Sequence, residues 1–168
     1  MKATLQRFLA PWLLFLSLVL AVPASAAQPG VDKVIRDWYH LMLELVRHTP
    51  TYSPPVASRA FAYLGVTGYE ALASGDRSMS SLSGQLNGLT PVPARVVGET
   101  YDEAVVVNAA LGSAAKLLFS NTGPTGQRAL KRFGEKMAAN LDEGLTPELV
   151  ARSTAYGERI TAHILAWS

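Results

Sequence analysis

Between residues 31 and 167 the apolar side chains recur at intervals of three and four. No strand-like alternation runs longer than Val105–Val107, which the helical period absorbs. That period belongs to helices with one buried face, so the expected fold class is all-α, an antiparallel bundle of about five helices. A first helix over 31–48 places Val34, Ile35, Trp38, Leu41, Met42 and Leu45 on one side. Lys33, Arg36, Asp37, His40, Glu44 and Arg47 fall on the other. Ser53-Pro54-Pro55 supplies an N-cap and an N1 proline for a second helix over 54–74, where Gly65 and Gly68 signal close approach of a neighbour. Residues 75–92 form a Ser/Gly-rich loop of a length that is uncommon inside a domain and often functional.

A third helix is expected over 93–119, with Tyr101, Val105, Asn108, Gly112, Ala115 and Phe119 in line. A fourth, over 125–141, carries the stripe Leu130, Phe133, Met137 and Leu141. Thr146-Pro147-Glu148 then reads as an N-cap, an N1 proline and a first-turn acid for a fifth helix over 147–167. That helix aligns Leu149, Tyr156, Ile160, His163 and Trp167 and runs to Ser168 without a glycine cap.

Ahead of these helices stands a different kind of segment. Lys2 and Arg7 precede the uncharged run Phe8–Val22, and Ala24-Ser25-Ala26 offers small residues for cleavage. This order is that of a secretory signal peptide over 1–26, leaving 27–168 as an exported helical domain in the periplasm or outside the cell. A membrane span needs roughly 20 apolar residues. Pro11, Pro23 and the small-residue flank speak against a retained one, so no stable span is expected after cleavage. The whole chain has 15 Lys and Arg against 13 Asp and Glu; without Lys2 and Arg7 the balance is 13 against 13. No basic footprint for nucleic acid is left. The absence of cysteine excludes a disulfide framework, a thiolate nucleophile and a cysteine-based zinc site.

Asp37, His40, Glu44 and His48 share one face of the first helix and are the most metal-like set, since imidazole and carboxylate suit zinc or iron. The plain reading is a solvated face, because Lys33, Arg36 and Arg47 interleave with it. His163 lies within an apolar stripe, where a hydrogen-bonded core histidine is the commoner case. Asp102-Glu103 and Asp142-Glu143 are adjacent acids that point about 100° apart on a helix and so form no dyad. Ser80, Ser81 and Ser83 have no local histidine, and no G-x-S-x-G elbow or phosphate-binding glycine loop occurs.

Several short patterns stand in a telling order. They are Trp38, then Thr49-Pro50, then Pro54-Pro55 with Ala57 and Arg59, then Tyr69-Glu70-Ala71. The stretch SLSGQLNGL follows, then Asn108-Ala109-Ala110, Leu117-Leu118-Phe119, Ser153-x-x-Tyr156-Gly157 and Ile164-Leu165-x-Trp167. Together they resemble the N-terminal helical region of bacterial vanadium-dependent haloperoxidase-like proteins, of the type 2 phosphatidic acid phosphatase superfamily. Glu70 stands where this resemblance leads one to expect Asp. The resemblance implies a protein of two bundles, with vanadate or phosphate held in the later one. The Lys…Arg-Pro and Pro-Ser-Gly-His patterns of that later half do not occur in this sequence, and Ser58-Arg59 has no histidine following at the distance its Ser-Arg…His pattern needs. No catalytic, cofactor-binding or metal-binding residue is therefore assigned.

The expectation is the non-catalytic half of such a protein, truncated, split or reduced, and inactive alone. Its partner would be a separately encoded catalytic half, or a second copy, meeting the C-terminal helix around Ile160, His163 and Trp167. Two alternatives stand beside it. One is a free-standing binding or interaction module using the 75–92 loop; the other is a metal-binding protein using His40, Glu44 and His48.

Overall fold

The computed structural model describes residues 28–168. The leader expected over 1–26 lies outside the described residues. Five helices follow in order: α1 (Val31–Arg47), α2 (Pro54–Ala73), α3 (Glu103–Leu118), α4 (Pro124–Asp142) and α5 (Pro147–Trp167). Among the described residues there is no strand, only an isolated bridge between Ser83 and Leu86. No described helix is long and apolar enough to cross a membrane. The all-α expectation holds.

The arrangement follows from the composition of α3. Its sequence EAVVVNAALGSAAKLL is apolar almost all round, and a helix of that kind has to be covered on every side. It occupies the centre and packs against each of the other four helices. Val106, Val107, Ala110, Leu111, Ala114 and Ala115 are fully buried. The outer helices turn one face toward it, most plainly the amphipathic α1 and α4. On α1 that face is Val34, Trp38, Met42 and Leu45; on α4 it is Leu130, Met137 and Leu141, with Phe133 partly buried.

Small residues set how near the helices come. Gly68 on α2 faces Leu111, whose Cδ2 would lie 3.1 Å from an added Cβ, and Gly65 faces the Tyr39 hydroxyl at 3.3 Å. Gly112 makes room for the indole of Trp38, 3.1 Å from where its Cβ would stand. Trp38 also meets Phe133 edge-on at 4.7 Å, so one side chain of α1 joins α3 and α4.

One helix start and one cap differ from expectation. The third helix begins at Glu103 rather than 93. Pro91 and Pro93 cannot donate to a helix ladder, and Gly98 adopts φ +84°, so 93–102 runs as an irregular strap. Asp102 then caps α3 by accepting from Val105 N at 2.9 Å. Ser53 does occupy the N-cap position of α2, but its side chain makes no capping hydrogen bond. Thr146 behaves as expected, accepting from Leu149 N at 3.3 Å ahead of Pro147 and Glu148.

Candidate functional site

The metal-like set on α1 is divided among its neighbours. Asp37 pairs with Lys33 at 2.5 Å, and Glu44 lies 3.3 Å from Arg47 and 3.4 Å from His48. His40 is exposed. Among the described residues no group of three or more His, Asp or Glu is placed to hold a metal ion. Asp37 and Glu44 thus each have a cation within reach.

The long loop is fastened down. Tyr69 donates its hydroxyl to Ser80 O at 2.8 Å. The buried carboxylate of Glu70 accepts from Ser81 Oγ at 2.9 Å and from Leu82 N at 2.6 Å. Leu89 is buried, and Trp167 Nε1 donates to Asn87 O at 3.0 Å. His163 Nε2 lies 3.0 Å from Thr90 O and 3.3 Å from Thr90 Oγ1. His163 thus closes a seam between α5 and the loop. Of the candidate serines Ser80, Ser81 and Ser83, Ser81 binds Glu70 and Ser83 donates to Leu89 O at 3.3 Å, so neither of these two faces a histidine base. The adjacent acids part company too: Asp102 caps α3 while Glu103 holds Arg95.

The densest polar cluster is one that sequence reasoning missed. Arg95, on the strap before α3, donates to both oxygens of Glu103 at 2.6 Å and to Ser74 Oγ at 3.2 Å. Its guanidinium lies over the rings of Tyr101 and Tyr156, 5.0 and 5.2 Å from their centres. The Glu103 carboxylate raises the Arg95 pKa above its ordinary value, against the opposing effect of burial. Arg152 pairs with Glu99 at 2.8 Å and lies over Tyr101, while Arg159 lies over Tyr156. An open groove lined by Tyr101, Arg152, Ala155, Arg159 and Val96 runs along this edge of α5.

An oxyanion such as vanadate or phosphate needs uncommitted cationic donors converging on one point. The cluster does not fit one. Arg95 and Arg152 are neutralised by Glu103 and Glu99, the nearby Tyr156 hydroxyl is spent on Pro93 O at 2.9 Å, and Arg159 is a single cation with no second free donor beside it among the described residues. No residue described here is assigned to an oxyanion.

The residues that carried the resemblance turn out to hold the fold together. Asn108 Oδ1 accepts from Trp38 Nε1 at 2.8 Å, and Ser153 Oγ accepts from Asp102 N at 2.9 Å. Gly157 admits α3 against α5, and Glu70 holds the loop that SLSGQLNGL forms. The class they define is a helical bundle organised round a buried apolar helix. Compared with solved structures, the chain is similar to a bacterial vanadium-dependent iodoperoxidase, with 30% sequence identity and a TM-score of 0.67 over 80% of this chain. The match takes in 31% of that protein, so the chain spans about a third of its length. This supports a relation to vanadium haloperoxidase-like proteins. No family model matches the chain. No curated protein matches it either.

Proposed function

We propose that residues 27–168 act as an exported helical domain that corresponds to the non-catalytic half of a vanadium haloperoxidase- or acid phosphatase-like protein. It is inactive by itself and serves by packing against a catalytic portion that binds the oxyanion. The observation that carries this reading is the asymmetry of the match: four-fifths of this chain aligns with under a third of the iodoperoxidase. The commitment of Arg95 and Arg152 to carboxylates supports it from the chemical side.

The packing surface proposed lies beside the Ile160, His163 and Trp167 stripe rather than on it. Ile160 is fully buried, His163 faces Thr90, and Trp167 packs on Tyr63 and the loop. Ile160 is thus taken up by the core, while His163 and Trp167 are partly buried against the loop. The outward side of α5 is instead Ala151, Ala155, Glu158 and Ala162, all exposed. Val96 and Val97 stand exposed on the strap, and Val96 lines the groove along that helix. Small apolar residues there allow another element to approach closely.

The test uses the purified chain alone and together with the protein encoded next to it. Iodide oxidation with vanadate and peroxide, and phosphate ester hydrolysis, should be absent from the lone chain. Both proteins together should form a stable complex that is active. Ala155→Trp should abolish the complex and leave thermal unfolding of the lone chain unchanged. Turnover by the lone chain, or a complex indifferent to A155W, would overturn the reading.

A further inference from the structure

We propose that Asn87–Gly88 is a site of spontaneous succinimide formation, and that its isoaspartyl product unfastens the C-terminal end of α5. Asn87 is the asparagine in this chain that glycine follows; Asn108, Asn121 and Asn140 precede Ala, Thr and Leu. A glycine on the C-terminal side has no Cβ to obstruct its backbone nitrogen. Asn87 and Gly88 form the middle of an exposed turn closed by Leu89 N donating to Leu86 O at 3.1 Å, with Gly88 at φ +76°. Among the described residues neither the Asn87 side-chain amide nor the Gly88 N–H makes a hydrogen bond. Both reacting groups are therefore free to meet.

The other asparagines are held back. Asn108 sits within α3 with its oxygen taken by Trp38, and Asn140 sits within α4. Asn121 donates its amide to Thr51 Oγ1 at 3.1 Å. In a helix the following N–H is committed to the ladder and cannot turn on the side chain.

The chemistry needs only water. The Gly88 backbone nitrogen, losing its proton to solvent base, attacks Asn87 Cγ. The bond from Cγ to the amide nitrogen breaks, ammonia departs, and a cyclic imide remains. Water then opens either imide carbonyl. One opening gives aspartate on an unchanged backbone. The other routes the backbone through the β-carbon, one methylene longer, and turns the former main-chain carbonyl into a free carboxylate.

That carbonyl is the one that holds Trp167. Its oxygen accepts from Trp167 Nε1 at 3.0 Å, and the indole stands edge-on to Tyr63 at 5.9 Å. Tyr63 in turn donates to Ser168 O at 3.3 Å. One turn back, His163 meets Thr90, three residues beyond Asn87. The backbone insertion thus falls between two of the contacts that pin α5 to the loop. Aspartate itself, with the same added charge, leaves the geometry of the carbonyl in place.

The experiment follows the purified full chain in mildly alkaline buffer by peptide mapping, with the same chain unfolded in urea as reference. The expected result is gain of acid mass at the Asn87 peptide, isoaspartate as its main product, and three other asparagines unchanged. In the isoaspartyl fraction, amide hydrogen exchange at the last turn of α5 should be several-fold faster than in fresh protein. Asn87→Asp, which copies the charge without the extra methylene, should exchange as fresh protein does, and Asn87→Gln should resist conversion. Asn87 intact in the folded chain when the unfolded chain has converted would overturn the proposal. An isoaspartyl fraction whose α5 exchange matches fresh protein would overturn it equally.

Discussion

Gly157 of α5 and Ala110 of α3 meet with no space between them: a Cβ on Gly157 would stand 2.9 Å from the Ala110 nitrogen and 2.9 Å from the Ala109 methyl. Val106 O closes the remaining side. One turn on, Thr161 Oγ1 donates to Ala110 O at 2.8 Å, a hydrogen bond that two helices share only at close range. Gly157→Ala must push α5 off the central helix, because two of its obstacles are backbone. Overpacking costs about 1–3 kcal/mol, and the upper end is expected here. Urea unfolding should show a lower midpoint with an unchanged slope. A variant as stable as the parent would mean that α5 shifts freely on α3.

Trp38 and Asn108 form the second crossing point. The indole is 1% exposed and its N–H has Asn108 Oδ1 as partner. Asn108→Ala leaves that donor buried and unpaired, which costs about 1–3 kcal/mol. Trp38→Phe removes the donor, so Asn108→Ala made on that background should cost clearly less. A double-mutant cycle from chemical denaturation measures the difference, and purely additive losses would argue against a coupled pair.

Glu70 controls the loop. It is 1% exposed, and its two oxygens serve Ser81 Oγ and Leu82 N. Gln at this position keeps the size but offers one acceptor and one donor to two donors. Hydrogen bonds to a charged group contribute about 1.5–3 kcal/mol. Glu70→Gln should therefore lower stability by an amount in that range and speed hydrogen exchange at the Leu82 amide before that of α3. Equal acceleration throughout the chain would show that the loop and the bundle unfold as one unit.

How much of this could be read in advance depends on the range of the interaction. Leu130, Phe133, Met137 and Leu141 declare α4 because a helix writes its buried face into local spacing. Thr146-Pro147-Glu148 announces α5 for the same reason. The start of α3 was obscured because Val96, Val97 and Tyr101 prolong an apolar pattern through a strap that Pro93 and Gly98 keep irregular. Arg95 gave no local signal: Ser74 lies 21 residues before it, and the ring of Tyr156 comes from another helix. Periodicity marked the Ile160 side of α5 as apolar, but not that α2, α3 and the loop already cover it.

The polar face of α1 permits a direct check. Glu44 and His48 form an exposed i, i+4 pair with Arg47 alongside. Exposed pairs of this kind contribute about 0–1 kcal/mol. Alanine at both His40 and His48 should shift the unfolding midpoint little, and added zinc should leave parent and variant alike. Stabilisation of the parent by zinc, lost in the double variant, would favour the metal-binding alternative.

Asp142 offers the clearest dependence on pH. It ends α4, and burial raises its carboxyl above the ordinary aspartate value. The folded state therefore holds this proton more tightly than the unfolded state does. Its contribution is fully present below the unfolded pKa and is lost as pH rises through the folded one. Asparagine cannot titrate and lacks the buried charge. Asp142→Asn should consequently gain on the parent as pH rises through the carboxylate range, then keep a constant advantage toward neutrality. Asp32 has its pKa lowered, chiefly by the hydrogen bond from Arg36, and Asp76 by its hydrogen bonds from Ser78; both contribute the opposite slope. Those slopes are common to parent and variant and cancel in the difference. Gln28, which donates to the carbonyls of Leu141 and Glu143 on either side, touches backbone that the substitution leaves unchanged. Paired denaturation curves across the acid range give the difference directly. An advantage for asparagine that grew as pH fell would reverse the sign and refute a raised Asp142.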